Sequence, residues 1–406
     1  MSGFMVDRME GNGMTGLPPL SLLDQEEPSQ KVAQADLADA CRQIEMVLSE
    51  LGIPARLVSA VSGPVVAWYE IELAEGVEPV KVTLHARDFA RALSVMAFRV
   101  IENVMDRRRL AFEVPNTVRE RVYLSDILAA DAVQDKGFVL PVALGKTMTG
   151  NPVVADLVMM PHLLIGSDAD AENINFLHAV ILSLLYWQTS AHMRLLLVDV
   201  RNQAFSGCQA VPHLLAPVIT DRQVAVHAVE GAMAEMARRL QLFEKEGVTG
   251  FAEYHHYLTE GRISGQELPR IVIIIQGYPD LFANGREIEL LIARLALRGH
   301  IGGIHLVLAA GQVSLDTVTD LIKLNVPTRV AFKVRSMTDS RRLVGQNGAE
   351  ALLGQGDMLY LSCGAEAVQR IHGVTVSDDE MSRVMAYFGQ PGRLDADSPG
   401  TGTADL

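Results

Sequence analysis

The sequence contains few cysteines and no long apolar segment. Its 406 residues include three cysteines, Cys41, Cys208 and Cys363, and no two of them form a C-x-x-C pair. We therefore expect neither a disulfide framework nor a zinc site, and a reducing cytoplasm suits such a chain. The most apolar stretch, residues 176–187, is interrupted by polar side chains and is shorter than the roughly 20 residues that cross a bilayer. The first residues lack the basic and then apolar pattern of a signal peptide, so we expect no membrane segment.

The chain also lacks an excess of positive charge. Lys and Arg number 35 against 49 Asp and Glu, which gives a formal net charge of −14. No overall field attracts nucleic acid, so any contact with DNA must depend on local Arg and Lys side chains. The length and the 49% hydrophobic content predict a globular protein of two or three domains.

The spacing of apolar residues divides the chain into four parts. Residues 1–30 are rich in Gly, Pro, Met and acids and are predicted to be flexible, as is the tail at 389–406. Residues 31–150 mix helical spacing with short strand-like stretches, which indicates a small α+β domain. Helices of this domain are predicted at 31–52 and 87–103.

The pattern changes over residues 151–388, where continuous apolar strands alternate with helical stretches. The predicted strands are 194–200, 270–276, 303–310 and 328–334, and the predicted helices are 174–188, 221–246, 286–299 and 314–324. This alternation predicts an α/β domain with a mainly parallel sheet covered on both faces. A ligand of such a sheet is expected at the carboxyl ends of the strands.

Residues 161–185 have the strand–loop–helix setting of a phosphate-binding loop but not its residues. Such a loop requires G-x-x-x-x-G-K-[ST], because the glycines let the backbone wrap the phosphates, Lys holds the β and γ oxygens, and the hydroxyl binds Mg²⁺. The corresponding positions here are Ser167, Glu172, Asn173 and Ile174.

The same loop carries Asp168, Asp170 and Glu172, three carboxylates where a triphosphate would lie. Two like unit charges ~6 Å apart repel by about 3 kcal/mol at an effective dielectric constant of ~20. The loop therefore disfavours ATP. We interpret the carboxylates as groups that satisfy the free N–H groups at the helix start, with a bound divalent cation as the alternative.

Several long phrases, in order, resemble the cytoplasmic motor of FtsK/SpoIIIE DNA translocases over residues 18–388. They are PVALGKTMTGNPVVADLVMMPHLL, VPHLLAPVITD, GIHLVLA, LIKLNVPTRVAF, GAEALLGQGDMLY and the IHG at 371–373. The resemblance implies a small α domain, a RecA-like P-loop NTPase domain with a mainly parallel sheet, and a hexameric ring around duplex DNA in the bacterial cytoplasm. We expect the membrane-spanning N-terminal part and the C-terminal winged-helix domain of the family to be missing.

The resemblance also shows which parts of the family's active site are altered. Its G-T-T-G-S-G-K-S falls on Ser167–Ile174, and the D-E of its Walker B motif falls on Gln276 and Gly277. The sensor-like T-Q-R falls on residues 310–312, with Gly311 at its centre, and the Arg that acts on a neighbouring subunit falls on His300. A joint loss of these parts predicts a pseudo-ATPase that needs no cofactor, with ATP and Mg²⁺ relevant only if the divergent site still binds them. No metal site is expected.

The positions that would face DNA are better preserved. The Lys of the family's L-I-K phrase is present as Lys323, the Arg of its D-S-R phrase is present as Arg341, and Gln312 replaces the Arg of T-Q-R. Each lost cation lowers the salt-dependent part of DNA affinity, so weakened binding of double-stranded DNA is the expectation. For Lys323 and Arg341, an ordinary solvated surface charge remains the alternative.

Three functions stay open from the sequence. The first is a non-catalytic DNA-binding or ring subunit in chromosome segregation or cell division, in a ring of its own copies or mixed with an active paralogue. The second is an active ATP-dependent translocase of double-stranded DNA with a rebuilt nucleotide site. The third is a pure interaction scaffold for cell-division or segregation proteins.

Other short motifs are interpreted as structural. Gly145-Lys146-Thr147 precedes a predicted turn between strands, and Gly354-Gln355-Gly356 is predicted to form a tight turn. His255 and His256 lack the spacing of zinc ligands. Asp199 ends a predicted strand and is expected to cap a helix or to pair with Arg201.

Overall fold

The small domain is built on an antiparallel sheet in which β2 (Val66–Leu73) buries alternate side chains and β4 (Arg109–Pro115) is buried along most of its length. The computed structural model describes residues 17–25, 34–95, 98–102, 108–116, 120–130, 137–282, 286–313 and 317–389. The strands are β1 (Ala55–Ser62), β2 (Val66–Leu73), β3 (Arg99–Glu102) and β4 (Arg109–Pro115), in the order β1-β2-β4-β3. Helix α1 (Gln34–Glu50) packs on this sheet through Ile44 and Leu48.

The helix predicted at 87–103 is wrong in its second half. The structure has two short helices, α2 (Pro79–Leu84) and α3 (Ala86–Ala92), and the chain then turns at Ser94, whose φ is 54°. Residues 99–102 continue as β3 and pair antiparallel with β4. The β-branched Val100 and Ile101 suit that strand, which is an edge contact that local helical spacing does not reveal.

A nine-stranded mixed sheet forms the large domain, in the order β6-β5-β13-β12-β11-β7-β10-β9-β8. Its strands are β5 (Pro141–Thr147), β6 (Pro152–Asp156), β7 (Leu163–Ser167), β8 (Met193–Asp199), β9 (Arg270–Gln276), β10 (Ile304–Gly311), β11 (Thr328–Ala331), β12 (Asp357–Leu361) and β13 (Gln369–Gly373). Neighbours from β11 to β8 pair in parallel, and those from β6 to β11 pair antiparallel. The predicted α/β fold with a preceding small domain is confirmed, and the sheet is mixed, with its parallel part running from β11 to β8.

Both faces of this sheet are covered, because each central strand is apolar on both sides. In β9, Val272 and Ile274 face the cluster built around α5 (Asp170–Leu185), whereas Ile273 and Ile275 face the opposite cluster. The further helices are α4 (Leu124–Ala129), α6 (Arg222–Glu246), α7 (Phe251–Thr259), α8 (Glu287–Arg298), α9 (Asp320–Asn325), α10 (Met337–Val344) and α11 (Asp378–Phe388). None of the helices in the described ranges combines the length and apolar character that a membrane crossing needs.

The boundary between the domains differs from the predicted position after residue 150. β5 pairs with β13 and β6 pairs with β5, so residues 141–156 belong to the large sheet. Residues 17–25, inside the segment predicted to be flexible, pack on α11: Leu23 is 3% exposed, and Asp24 forms an ion pair with Arg383 at 2.6 Å. Apart from Gly389, the predicted tail lies outside the described residues.

Buried histidines make the stability of this fold depend on pH. His162 accepts a hydrogen bond from Leu306 N at 3.0 Å and donates from Nε2 to Ala296 O at 2.7 Å, which requires the neutral ring. Burial lowers the pKa of His162 and of His305 to about 3, and that of His213 to about 4.

We expect acid to destabilise the protein, because these histidines bind protons in the unfolded chain but stay neutral in the folded protein. Their stabilisation is complete above pH ~6.5 and is lost as the pH falls towards the folded pKa values, by about 1.4 kcal/mol per pH unit for each proton. Urea unfolding between pH 7.5 and 4.5 measures this slope. His213→Gln keeps the donor to Gln188 O and should reduce the slope by about one proton. The same change at the exposed His256 is the control, and equal slopes for both variants would contradict the assignment.

Candidate nucleotide site

The predicted strand–loop–helix unit lies at the carboxyl ends of adjacent parallel strands. β7 leads through residues 168–169 into α5, and β10, β9 and β8 follow β7 in the sheet. A cavity of about 310 Å³ opens there. It is lined by Ser167, Asp168, Arg201, Gly277, Pro279, Asp280, Gly311, Gln312, Val313, Thr317, Val334, Arg335 and Asp339. This is the place where a phosphate-binding loop would hold its ligand.

One guanidinium joins three of these strand ends. Arg201, just after β8, donates from Nε and NH2 to Oδ2 and Oδ1 of Asp280, which follows β9, at 2.7 and 3.0 Å. Its NH1 donates to Oδ2 of Asp170, the first residue of α5, at 2.7 Å. The hydrogen bonds that Arg201 donates to Asp280 raise the pKa of Arg201, and both carboxylates add charge attraction. Arg201 therefore supplies within the chain the positive charge that a carboxylate at this helix start requires.

The other two acids of the loop have separate partners. Asp168 forms an ion pair with Arg335, and its backbone N–H donates to Lys333 O at 2.9 Å. Glu172 Oε1 accepts a hydrogen bond from the backbone N–H of Gln355 at 2.8 Å. Burial raises the pKa of Glu172 despite this hydrogen bond. The prediction that these carboxylates satisfy the free N–H groups of the helix is wrong, since α5 starts after Ala169 without a side-chain cap.

Small and neutral residues replace the Walker B and sensor positions, and each leaves space for an acid. Gln276 donates from Nε2 to Oδ1 of Asp170 at 3.3 Å. Gly277 has a φ of 68°, and a Cβ there would lie 2.9 Å from Asp280 Oδ2. A Cβ on Gly311 would lie 2.1 Å from Asp170 Oδ1, far inside van der Waals contact. The two glycines and the two aspartates therefore fit one another sterically.

The remaining loop positions present no charge. Ser167 is buried and donates its hydroxyl to Ala169 O at 2.7 Å. Asn173, at the position of the family's Lys, is buried, and its side-chain oxygen and nitrogen have no hydrogen-bond partner among the described residues. Ile174 is partly buried against the apolar core. None of these side chains can neutralise a phosphate.

His300 lies at the opposite edge of the sheet. It belongs to the turn Gly299–Gly302, which precedes β10, whereas Gly311 ends that strand. Eight residues of strand separate the two ends by roughly 25 Å. The exposed ring of His300 packs edge-on to that of His162 at 6.0 Å, and burial lowers its pKa. His300 is therefore remote from the loop of its own chain.

Of the three positions predicted to face DNA, Gln312 lies apart from the other two, since Asp320 pairs with both Lys323 and Arg342, the neighbour of Arg341. Gln312 is exposed, has a φ of 55° and lines the cavity. Lys323 on α9 forms an ion pair with Asp320 at 2.8 Å, and its side chain is 19% exposed. Arg341 on α10 is exposed and donates from Nε to Asn347 Oδ1 at 2.7 Å. Neither Lys323 nor Arg341 lines the cavity.

Arg201, Asp280 and Arg335 are the site residues that sequence reasoning missed. The available signal was their position, since each follows the end of a strand in the parallel part of the sheet. One interpretation of the sequence paired Asp199 with Arg201, but the structure does not contain this pair. The buried Asp199 instead accepts backbone N–H groups of Gln203 and Ala204 at 2.7 and 2.6 Å.

The structural interpretations of the other short motifs are confirmed. Residues 145–147 end β5, and a turn then leads into β6. Gly354, Gln355 and Gly356 all have positive φ, of 74°, 57° and 93°, as a tight turn requires. His255 and His256 lie in α7.

Comparison with known families covers both parts of the chain. The model of the FtsK alpha domain matches residues 17–116, and that of the FtsK/SpoIIIE family matches residues 123–315. A protein from Haemophilus influenzae named DNA translocase FtsK is 36% identical over 405 residues, which cover 94% of this chain and 76% of that protein. The chain is a member of the FtsK/SpoIIIE family.

Other FtsK relatives are longer than this chain. DNA translocase FtsK 2 of Ralstonia nicotianae is 40% identical over 96% of the chain and 52% of its own length. DNA translocase FtsK of Pseudomonas aeruginosa is 37% identical over 91% of the chain and 48% of its own length. The chain thus spans about half the length of these two relatives.

Solved structures resemble the FtsK-like fold at low sequence identity. The pCW3 conjugation coupling protein TcpA, solved with ATPγS, has a TM-score of 0.58 at 17% identity and covers 87% of this chain and 99% of its own. The cytoplasmic domain of the type VII secretion ATPase EccC from Thermomonospora curvata has a TM-score of 0.55 at 19% identity and covers 61% of this chain and 31% of its own. These likenesses concern the fold alone.

We expect Gly311→Ala to destabilise the protein by about 1–3 kcal/mol, because the new methyl group displaces the Asp170 carboxylate. Urea unfolding measures the change. In an Asp170→Gly background the same Gly311→Ala change should cost much less, since the clashing group is gone. Gly207→Ala is the control, because a Cβ there meets nothing within 4 Å. Equal losses for Gly311→Ala with and without Asp170 would argue against the steric fit.

Proposed function

We propose that this FtsK/SpoIIIE family member does not hydrolyse ATP and acts as a non-catalytic DNA-binding or ring subunit in chromosome segregation or cell division. The observation that carries the proposal is the ion pairing of Arg201 with Asp170 and Asp280 at the loop where phosphate would bind. An entering triphosphate would have to break these pairs and meet three carboxylates.

Hydrolysis also needs groups that this site does not offer. A carboxylate at the end of β9 would orient Mg²⁺ and its water, and a neighbouring Glu would polarise the attacking water. Gln276 is neutral and is engaged by Asp170, and the positive φ of Gly277 disfavours any side chain there. The residues at the phosphate-binding loop and the residues at the end of β9 therefore support the proposal independently of each other.

The ring part of the proposal rests on His300. This residue lies at the far edge of the sheet from the loop of its own chain, so it could act at a nucleotide site only if that site belonged to a neighbouring subunit. In that position the family carries an Arg, and a mostly neutral imidazole cannot replace its permanent charge. A ring of copies of this chain would then be inactive at each junction. A mixed ring would depend on an active paralogue.

The second candidate is an ATP-dependent DNA translocase with a divergent site. It is favoured by the 40% identity to a protein named DNA translocase FtsK 2. It requires the Arg201 pairs to open and release a cation for the phosphates. Nucleotide titration separates the two candidates.

We expect isothermal titration of ATP–Mg²⁺ into the full chain to give no heat at millimolar ATP, and the melting temperature to stay constant. A ligand at a hundred times its Kd would stabilise the fold by about 2.7 kcal/mol, which a thermal-shift assay detects easily. As a control, the family residues of the second half of the loop are restored by Asp170→Gly, Glu172→Gly, Asn173→Lys and Ile174→Ser. This variant should bind ATP more tightly than the natural chain. Micromolar affinity in the natural chain would establish the second candidate.

We expect DNA binding to depend on Lys323 and Arg341. Lys323→Glu with Arg341→Glu should weaken binding of a 30-bp duplex about tenfold or more and lower the salt slope by about 2. Fluorescence anisotropy at several salt concentrations measures both. Lys245→Glu with Arg262→Glu makes the same change in charge on α6 and after α7 and serves as the control. An equal loss in both variants would mean that net charge, and not these two positions, governs the contact.

A further inference from the structure

The turn at residues 354–356 presents backbone N–H groups to the first turn of α5. Its three successive residues have left-handed φ values of 74°, 57° and 93°. In a turn, successive backbone N–H groups can face one side and form an anion-binding concavity, and those of Gln355 and Gly356 both face Glu172. The anion held here is the carboxylate of Glu172, whose Oε1 lies 2.8 Å from Gln355 N. A Cβ on Gly354 would come within 3.4 Å of the same oxygen.

The residues on either side of this turn bind the small domain. Leu353 packs against Val65 and Val66, which lie at the tip of the β1–β2 hairpin, together with Met148. The hairpin approaches so closely that a Cβ on Gly63 would lie 1.8 Å from Met148 O. The segment that holds Glu172 is therefore also part of the apolar contact between the two domains.

A buried ion triad continues the contact on the other side of the turn. Asp357 is fully buried and accepts hydrogen bonds from Nε and NH2 of Arg370 at 2.9 and 2.8 Å, and from Leu353 N at 2.8 Å. NH1 of Arg370 donates to Oε2 of Glu113, on β4 of the small domain, at 2.7 Å. Glu113 is itself 5% exposed. Buried pairs of this kind are sensitive to the position of each partner, because removing one leaves an uncompensated charge.

We infer that Glu172 is a latch that fixes the segment 353–357, and through Asp357, Arg370 and Glu113 the small domain, to the start of α5. Glu172 stands where the phosphate-binding loop would have its second glycine. Because this carboxylate belongs to the chain, the contact between α5 and the turn does not depend on a bound ligand. The contact favours one arrangement of the two domains.

If Glu172 couples α5 to the small domain, removing its side chain should accelerate hydrogen exchange in the small domain. Hydrogen exchange of the full chain, followed by mass spectrometry, measures this for Glu172→Ala, which removes both the charge and the acceptor. Exchange should accelerate roughly threefold or more in residues 353–357 and also in β4 and the tip at 63–66. Glu172→Gln keeps an acceptor for Gln355 N–H and should restore most of the protection. Acceleration confined to α5 and 353–357 would overturn the inference.

A double-mutant cycle tests the same coupling by stability. Each single variant, Glu172→Ala and Glu113→Gln, changes the equilibrium constant of unfolding by some factor. If the two sites are coupled, the factor for the double variant should differ roughly threefold or more from the product of the two single factors. The matched cycle pairs Glu172→Ala with Glu72→Gln, which removes the charge that pairs with the exposed Arg56 in the same small domain, and should be multiplicative. If the Glu113 cycle is multiplicative as well, the latch does not reach the small domain. Both readouts are independent of ATP binding, so they can fail while the proposed loss of hydrolysis stands.

Discussion

The site depends on one guanidinium placed between two carboxylates. Arg201 reaches Asp280 with two hydrogen bonds and Asp170 with a third, and these three residues follow or begin elements that are far apart in the chain. With Asp170 held in this position, no side chain fits at 311, and Gln276 has an acceptor for its amide. The substitutions that remove the family's catalytic groups are therefore mutually consistent parts of one packed arrangement.

The same chemistry recurs at each acid of the former phosphate loop. Asp168 pairs with Arg335, Asp170 with Arg201, and Glu172 with the backbone N–H of Gln355. A motor of this fold needs positive groups that are free to take up phosphate and release it. Here the positive groups are saturated by acids of the chain, which favours a single stable conformation over a cycle of states. This pairing is the physical basis of the proposed non-catalytic role.

Much of the fold could be predicted because its signals are local. β8 and β9 are seven-residue strands built on the continuous apolar runs 195–198 and 271–275, and they were located to within one residue, as was α6. The second half of the helix predicted at 87–103 was wrong, because Val100 and Ile101 gain more from pairing with β4 than helical spacing alone suggests. The domain boundary was misplaced for a similar reason, since β5 finds its partner β13 more than 200 residues later.

The sequence was enough to predict that the family's catalytic groups are replaced, because the absence of a Lys or an Asp at a motif position can be read directly from it. The positions concerned are 167–174, 276–277 and 311. The partners of the new acids were not predictable in this way. Arg201 and Asp280 are 79 residues apart, and Glu172 and Gln355 are 183 apart, so only the order of strands in the sheet brings them together. Residue chemistry decides which groups a chain can offer, and the parallel sheet decides which of them meet, because hydrogen bonds act over about 3 Å whatever the separation along the chain.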